Sequence, residues 1–471
     1  MVFKRVLVKL YHLPSRSRTT IALWLGAALV GLVAFLLASA ANWAFAGFSA
    51  MQQKWWWWPL LSLPLGGMAI RWIMEHIGSG AQGSGIPQAQ AALQLNHDVG
   101  QIERLLSLRI AVAKFIGIVL GLGSGFVLGR EGPTVQIGAS IMFACRKLLP
   151  IDDPVFRRQL ILAGGAAGIA AAFNTPLAGI VFAFEELARS VEEKTSGKLL
   201  GAVILAGLVS LALQGDYVYF GKIHVPPFSY SILLPLVLIA LLAGLIGGAF
   251  SWLCVNVSTW MPPKIKDYRQ YHPYYFIAAC GFLIGICGLI APIYGSGAEI
   301  TSEVIAGHTE LAWYFLPLKF IGQLGTFLTG LPGGIFAPSL SLGAGIGSWF
   351  VPFFDPELKI KLIALGMVAA LAAITRAPLT SAIILMEMTD GHDMVISIMI
   401  SAMIASSVAR IYKTNLYHDL AEQVLAGLSK TASAQRRVKQ RSQNDEEKSS
   451  YFIVGWFGFS NVLGDCQSQR L

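Results

Sequence analysis

Long apolar stretches separated by short polar breaks dominate the chain. They run roughly over 21–47, 106–143, 199–213, 232–254, 275–293, 313–331 and 362–386. A bilayer core takes about 20 helical residues per crossing, so the pattern predicts an all-α polytopic membrane protein. The longer stretches have room for two helices each, and the position of the break within them is open. A large soluble core would need polar helix faces that these stretches lack.

Composition agrees: 55% of the 471 residues are hydrophobic and 13% charged, against about 25% charged in soluble chains. Lys4, Arg5, Lys9, Arg16 and Arg18 precede the first apolar run. That run is too long for a secretory h-region and ends without a clear cleavage site. It reads as a first span, with the basic segment 1–20 on the cytoplasmic side. Trp55 to Trp58, followed by Pro59, read as an interfacial anchor. The formal charge of +9 sits largely at the ends and in connecting loops, a poor arrangement for nucleic acid. Five cysteines and eight histidines are scattered without motif spacing, which argues against a disulfide framework, a metal site or a catalytic cluster; the chain does not read as an enzyme.

The glycines and prolines carry a repeat. Lys114-Phe115-Ile116-Gly117 matches Lys319-Phe320-Ile321-Gly322, and in that frame Gly129, Pro133 and Gly138 fall on Gly334, Pro338 and Gly343. Gly83-Ser84-Gly85 has a looser counterpart in Gly295-Ser296-Gly297. Downstream, Pro176-Leu177 matches Pro378-Leu379, and Glu185 matches Glu387. The offset is 205 residues early and 202 later, so one small length change joins two registers of a duplicated half. Residues 21–215 and 216–430 are the expected halves, parallel or inverted, followed by a tail at 431–471. Duplicated halves commonly build a transport site at their interface from broken helices.

Gly129-Arg130-Glu131-Gly132-Pro133 and Gly333-Gly334-Ile335-Phe336-Ala337-Pro338 each interrupt an apolar run. Glycine permits a tight bend and proline suits a helix's first turn, so both read as helix N-termini inside the membrane. Such an end carries unbonded N–H groups and partial positive charge; it needs an anion or a water-lined cavity. Glu131 lies at one of these starts. Its carboxylate either takes the place of an anion and is released by protonation, or merely caps a helix near the interface. Arg130 either pairs locally or raises the potential of an anion vestibule. Glu185 has a counterpart in the other half, which suggests a shared structural role. Glu186 faces Met388 there, which suits an asymmetric role such as proton entry, though an ordinary helix-end charge reads the same way.

These motifs resemble those of the CLC family of chloride channels and chloride/proton exchangers. The resemblance rests on Gly83-Ser84-Gly85-Ile86-Pro87, the two segments at Gly129 and Gly333, Ala170-Ala171-Ala172-Phe173-Asn174 through Glu186, and Asn415-Leu416-Tyr417. It covers roughly residues 20–430 and is closest in pattern to prokaryotic exchangers. It implies a CLC-like fold of two inverted-topology halves with many tilted and re-entrant helices. It also implies a homodimer with one pathway per subunit, in lipid, with both termini cytoplasmic; the expected setting is a bacterial inner membrane.

Within that resemblance, Ser84 and Tyr417 are the hydroxyls expected to bind a central chloride, with the backbone N–H groups of Ile335 and Phe336. Those around Arg130, Glu131 and Gly132 would line an outer anion site. Glu131 is the expected external gating glutamate, and Glu186 the internal glutamate that passes protons onward. Serine at position 84 is associated with chloride preference. No cofactor is expected beyond bound chloride ions, and no metal. The implied function is chloride/proton antiport; the alternative is a passive chloride channel of the same fold. Left to the residues alone, Ser84 could equally cap a helix and Tyr417 could be an interfacial tyrosine.

Gln88 and Gln90 stand where bacterial exchangers can carry carboxylates; they are expected to alter local pairing without touching the bound ion. After Tyr417 only 54 residues remain, too few for the paired regulatory domains of eukaryotic members. The apolar segment 451–463 has no functional reading.

Overall fold

The computed structural model describes residues 15–95, 98–148, 153–188, 197–215, 219–221 and 230–430. The chain divides into a body that ends at Ala421 and a unit that begins at Glu422; residues 422–430 of the latter are helical. The basic residues before 15, the tail 431–471 and its apolar segment lie outside the described residues.

The body is helical, and its principal helices fall into two matching series. The first comprises α1 (Ser15–Lys54), α2 (Trp58–Ile77), α3 (Ile86–Gln94), α4 (Leu108–Ser124), α5 (Glu131–Cys145), α6 (Pro154–Phe173), α7 (Pro176–Phe182) and α8 (Gly197–Gln214). The second comprises α9 (Leu233–Val255), α10 (Pro273–Ile290), α11 (Ala298–Ile305), α12 (Phe315–Thr329), α13 (Phe336–Phe350), α14 (Lys359–Thr375), α15 (Pro378–Thr389) and α16 (Val395–Ala409). Helices α5 and α13 begin and end in register at the offset read from the glycines. Helices α7 and α15 both open on the matched prolines.

The long apolar runs break where the backbone turns left-handed. Run 106–143 divides after Gly125 (φ 98°), whose counterpart Gly330 (φ 69°) ends α12. Run 362–386 divides at Arg376 (φ 61°), matched in the first half by Asn174 (φ 58°). A positive φ in arginine is a strained choice, so the repeat holds at the level of backbone conformation even where side chains differ. Helix α6 escapes the hydropathy pattern because alanine and glycine dilute its apolar character and at the same time let it pack closely.

Close packing is repeated too. Gly138 on α5 meets Gly164 on α6, and Gly343 on α13 meets Gly366 on α14; a Cβ on Gly343 would stand 2.3 Å from the Gly366 oxygen. Backbone therefore lies against backbone at both crossings.

Several helices are long and apolar enough to cross a membrane, among them Thr20–Lys54, Tyr230–Val255 and Pro273–Ile290. Large apolar side chains such as Trp43, Leu234 and Phe282 face outward, as a lipid-facing surface requires. Helices α5 and α13 are 15 residues each, about 22 Å at 1.5 Å per residue. They are too short for a full crossing of about 30 Å, and almost entirely buried.

The carboxylates Glu185 and Glu387 join the halves reciprocally. Glu387 accepts from the backbone N–H groups of Leu177 (3.3 Å) and Ala178 (2.8 Å) at the start of α7. Glu185 accepts from Leu379 (3.1 Å) and Thr380 (2.6 Å) at the start of α15. Each half thus caps a helix of the other, which is the shared structural role read from the repeat. Replacement of either residue by alanine is expected to cost about 1–3 kcal/mol, since charged hydrogen bonds to orphan amides are lost. Thermal unfolding in detergent checks this, and the two single variants should lose similar amounts.

Candidate anion site

The site forms where the two buried short helices begin. The segments leading into them pair across the repeat: Gly129 and Gly334 exchange backbone hydrogen bonds of 2.7 Å in both directions, as an antiparallel bridge. The paired residues are each other's equivalents, so a local two-fold axis passes between them and reverses the chain direction, as inverted halves require. Around it, Gly83 N–H donates to Gly330 O, and its counterpart Gly295 N–H donates to Gly125 O. From this bridge α5 starts after Arg130 and α13 after Ile335, neither with a side-chain cap. Pro133 and Pro338 each remove one donor, and the remaining first-turn amides have no helical partner. Two positive helix ends therefore converge on one point.

Glu131 occupies that point. It is fully buried, so it is not an interfacial cap. Its carboxylate folds back over Gly129, where a Cβ would stand 2.3 Å from Oε2. The amides of Arg130, Glu131 and Ala337 face it, yet neither oxygen has a partner at ordinary hydrogen-bond geometry. The carboxylate sits against both helix starts without being locked to either.

Arg130 is held by α1. Its Nη1 donates to Ala38 O (3.1 Å) and Asn42 Oδ1 (2.8 Å) on α1, and its guanidinium lies 5.6 Å from the Tyr219 ring centroid. It also lines, with Glu131, Asn42 and Tyr219, a cavity of 1020 Å³.

On the far side of Glu131 lie the two hydroxyls. Ser84 precedes α3, whose start is set by Gly85 at φ 107°. The serine makes no capping bond there, and its buried Oγ has no hydrogen-bond partner. It packs on Gly132 so closely that a Cβ there would lie 2.3 Å from Oγ. Tyr417 is fully buried rather than interfacial. Its Oη is also without a partner, it faces Ser84, and it stands within electrostatic reach of both Glu131 and Glu186. Its ring stacks on that of Phe336, with centroids 6.1 Å apart and planes 17° apart. Two buried O–H donors and the N-terminal amides of α13 make a cradle suited to a weakly held anion. Ile335 and Phe336 supply the start of α13 as the sequence suggested.

Glu186 lies in a π-helical turn, Ala183–Ala188, and is 2% exposed. It is therefore not an ordinary solvated helix-end charge. Aromatic rings cluster at the start of α13: the Phe336 ring centroid lies 6.1 Å from those of both Phe173 and Phe182.

Sequence reasoning passed over several neighbours. Lys114 and Lys319, used only to align the repeat, are both fully buried. Lys114 Nζ donates to Gln136 Oε1 (2.5 Å) and Lys319 Nζ to Ile293 O (2.9 Å); each braces a glycine, Gly85 or Gly297, that opens a short helix. A lysine in the middle of an apolar run was the signal. Asn42 and Tyr219 had none, because their role exists only in the folded arrangement. Gln88 donates to Gln82 O (2.7 Å), and Gln90 bonds Glu186 directly. Gln90 thus pairs with one of the residues the sequence singled out, across 96 positions.

Known proteins share this arrangement. The family model described as voltage gated chloride channel matches residues 66–410. A protein of Klebsiella pneumoniae (strain 342) named H(+)/Cl(-) exchange transporter ClcA is 30% identical, over 90% of this chain and 94% of its own. A protein of the same name from Citrobacter koseri is 31% identical, over 91% and 94%. Among solved structures, a slow cyanobacterial Cl-/H+ antiporter superposes with a TM-score of 0.73 at 25% identity, covering 87% of this chain and 98% of that one. A CLC-type fluoride/proton antiporter shares the fold, with a TM-score of 0.66 at 22% identity, covering 83% and 95%. With matched halves meeting at Gly129 and Gly334 and this extent of sequence agreement, the chain belongs to the voltage-gated chloride channel family.

Proposed function

We propose that this protein exchanges chloride for protons across a membrane, with Glu131 as the gate. One observation carries the reading: a buried carboxylate with no partner at ordinary hydrogen-bond geometry stands at the convergence of two helix N-termini, beside two buried hydroxyls that face each other. The names of the curated relatives and of the cyanobacterial antiporter point the same way.

The chemistry follows from charge. Ionised, Glu131 competes with chloride for the amides at the starts of α5 and α13. Protonated, it loses that attraction and swings toward the vestibule, and chloride reaches the outer position near Arg130 and Gly132. The central chloride is held by Ser84 Oγ–H, Tyr417 Oη–H and the amides of Ile335 and Phe336. The proton on Glu131 passes to Glu186 through water that enters transiently among Phe173, Phe182 and Phe336. The buried inner glutamate favours exchange over passive conduction, since a channel needs no proton acceptor there. In this reading the protein works as a homodimer with one pathway per subunit, in a bacterial inner membrane with both termini cytoplasmic.

Simultaneous chloride and proton flux from liposomes tests it: a chloride gradient should drive protons uphill, and chloride flux without proton movement would sink the exchange. Glu186→Gln is expected to abolish proton movement while chloride continues to flow. Glu131→Gln, which holds the gate in its neutral form, should lose both proton coupling and the pH dependence of chloride flux. Ser84→Ala removes one hydrogen bond to a charged ligand, so chloride binding by calorimetry should weaken roughly tenfold.

A further inference from the structure

Gln90 has a contact that neither the gate nor the chloride cradle uses. It lies on α3, 4% exposed, and its Nε2 donates to Glu186 Oε1 (2.7 Å) and to Glu186 O (2.8 Å). Both amide hydrogens are thus spent on a single residue, one on its side chain and one on its main chain. The main-chain bond also fixes the amide's orientation, because its oxygen could not face two acceptors. The Gln90 Oε1 is buried without a partner, so the amide endures an unsatisfied acceptor to keep both donors on Glu186. The recipient belongs to the π-helical turn, a distortion frequent at functional sites.

We propose that Gln90 is the positioning residue for the inner proton glutamate, holding Glu186 by a donor that serves its ionised and its protonated form alike. The proposal rests on the exchange reading above. An amide N–H bonds strongly to a carboxylate and more weakly to the carbonyl oxygen of the neutral acid. The contact therefore survives each protonation cycle, whereas a carboxylate partner would repel the ionised form and a cation would pin it. Helix α3 begins at Ile86, capped by Gly85 directly after Ser84. The residue that holds the proton glutamate and the residue that offers a hydroxyl to chloride are thus six positions apart, one within this short helix and one just before it.

The elements packed against the Ala183–Ala188 turn are α3, α6 and α7. Helices α3 and α7 carry no ionisable side chain, and α6 brings Arg157 and Arg158 near its start. Glu185, next in the chain, is committed to α15, and Tyr417 stands within electrostatic reach.

The test uses two variants of nearly the same volume, Gln90→Met and Gln90→Glu, in the full-length protein in liposomes. Proton-coupled flux is measured against pH on the Glu186 side, with chloride flux recorded in parallel. Loss of the donor makes protonation easier, so the midpoint should move up by about one unit in Gln90→Met. It should move further in Gln90→Glu, which adds a like charge. In a Glu186→Gln background, Gln90→Met should have no further effect on the pH profile of chloride flux. Midpoints unchanged in both variants, or a shift that persists without Glu186, would overturn the proposal. If Gln90→Met does not fold, Gln90→Glu decides alone. A wild-type protein that moves chloride without protons would instead defeat the exchange reading, and the two failures are distinguishable.

Discussion

A helix cannot begin in the middle of a membrane without something to receive its first amides. The rest of this structure depends on that constraint. Helices α5 and α13 both begin in the buried interior, and the fold brings their starts to one place. What stabilises the pair is negative charge, from an anion or from a carboxylate that stands in for one. Glu131 is the only acidic side chain in the first turn of either helix. In the proposed reading, gate and cargo thus share a binding requirement, and proton transfer to the carboxylate decides between them.

The same constraint accounts for the surrounding choices. Glycine at 129, 132 and 334 is needed because backbone, Ser84 Oγ and the Glu131 carboxylate occupy the space a side chain would take. Lys114 and Lys319 brace the glycine turns from behind. The hydroxyls of Ser84 and Tyr417 donate without carrying charge, so the cradle attracts an anion without trapping it. The helix ends add positive potential that cannot titrate, and in the proposed reading the titrating group is the gate.

Much of this was legible in the sequence. The matched spacing from Lys114 to Pro133 and from Lys319 to Pro338 located both helix starts, and the Glu185–Glu387 match announced a shared role. Hydropathy left the breaks in the long runs open, because Gly125 and Arg376 divide them by backbone conformation rather than by polarity. Helix α6 was missed because alanine and glycine, which suit it to close packing, make it look weakly apolar. The partners of Arg130 and Glu186 could not be read at all. Asn42 lies 88 residues from Arg130, and Gln90 lies 96 from Glu186; a hydrogen bond across such separations leaves no local pattern.

The reciprocal bonds of Glu185 and Glu387 have a further consequence. In an association of two identical subunits about a two-fold axis, every contact occurs twice with the roles exchanged. Glu185 on α15's amides and Glu387 on α7's obey that rule, as do the Gly129–Gly334 pair and the Gly83–Gly330 and Gly125–Gly295 bonds. The centre of this single polypeptide therefore has the contact grammar of a dimer interface. Residues that lie on such an axis meet their own counterparts and can diverge only together, whereas residues away from it are free to differ. Glycine remains on both sides of the bridge at 129 and 334, while Glu186 has become Met388 in the other half. An asymmetric transport cycle could be written only at the positions the symmetry had left unconstrained.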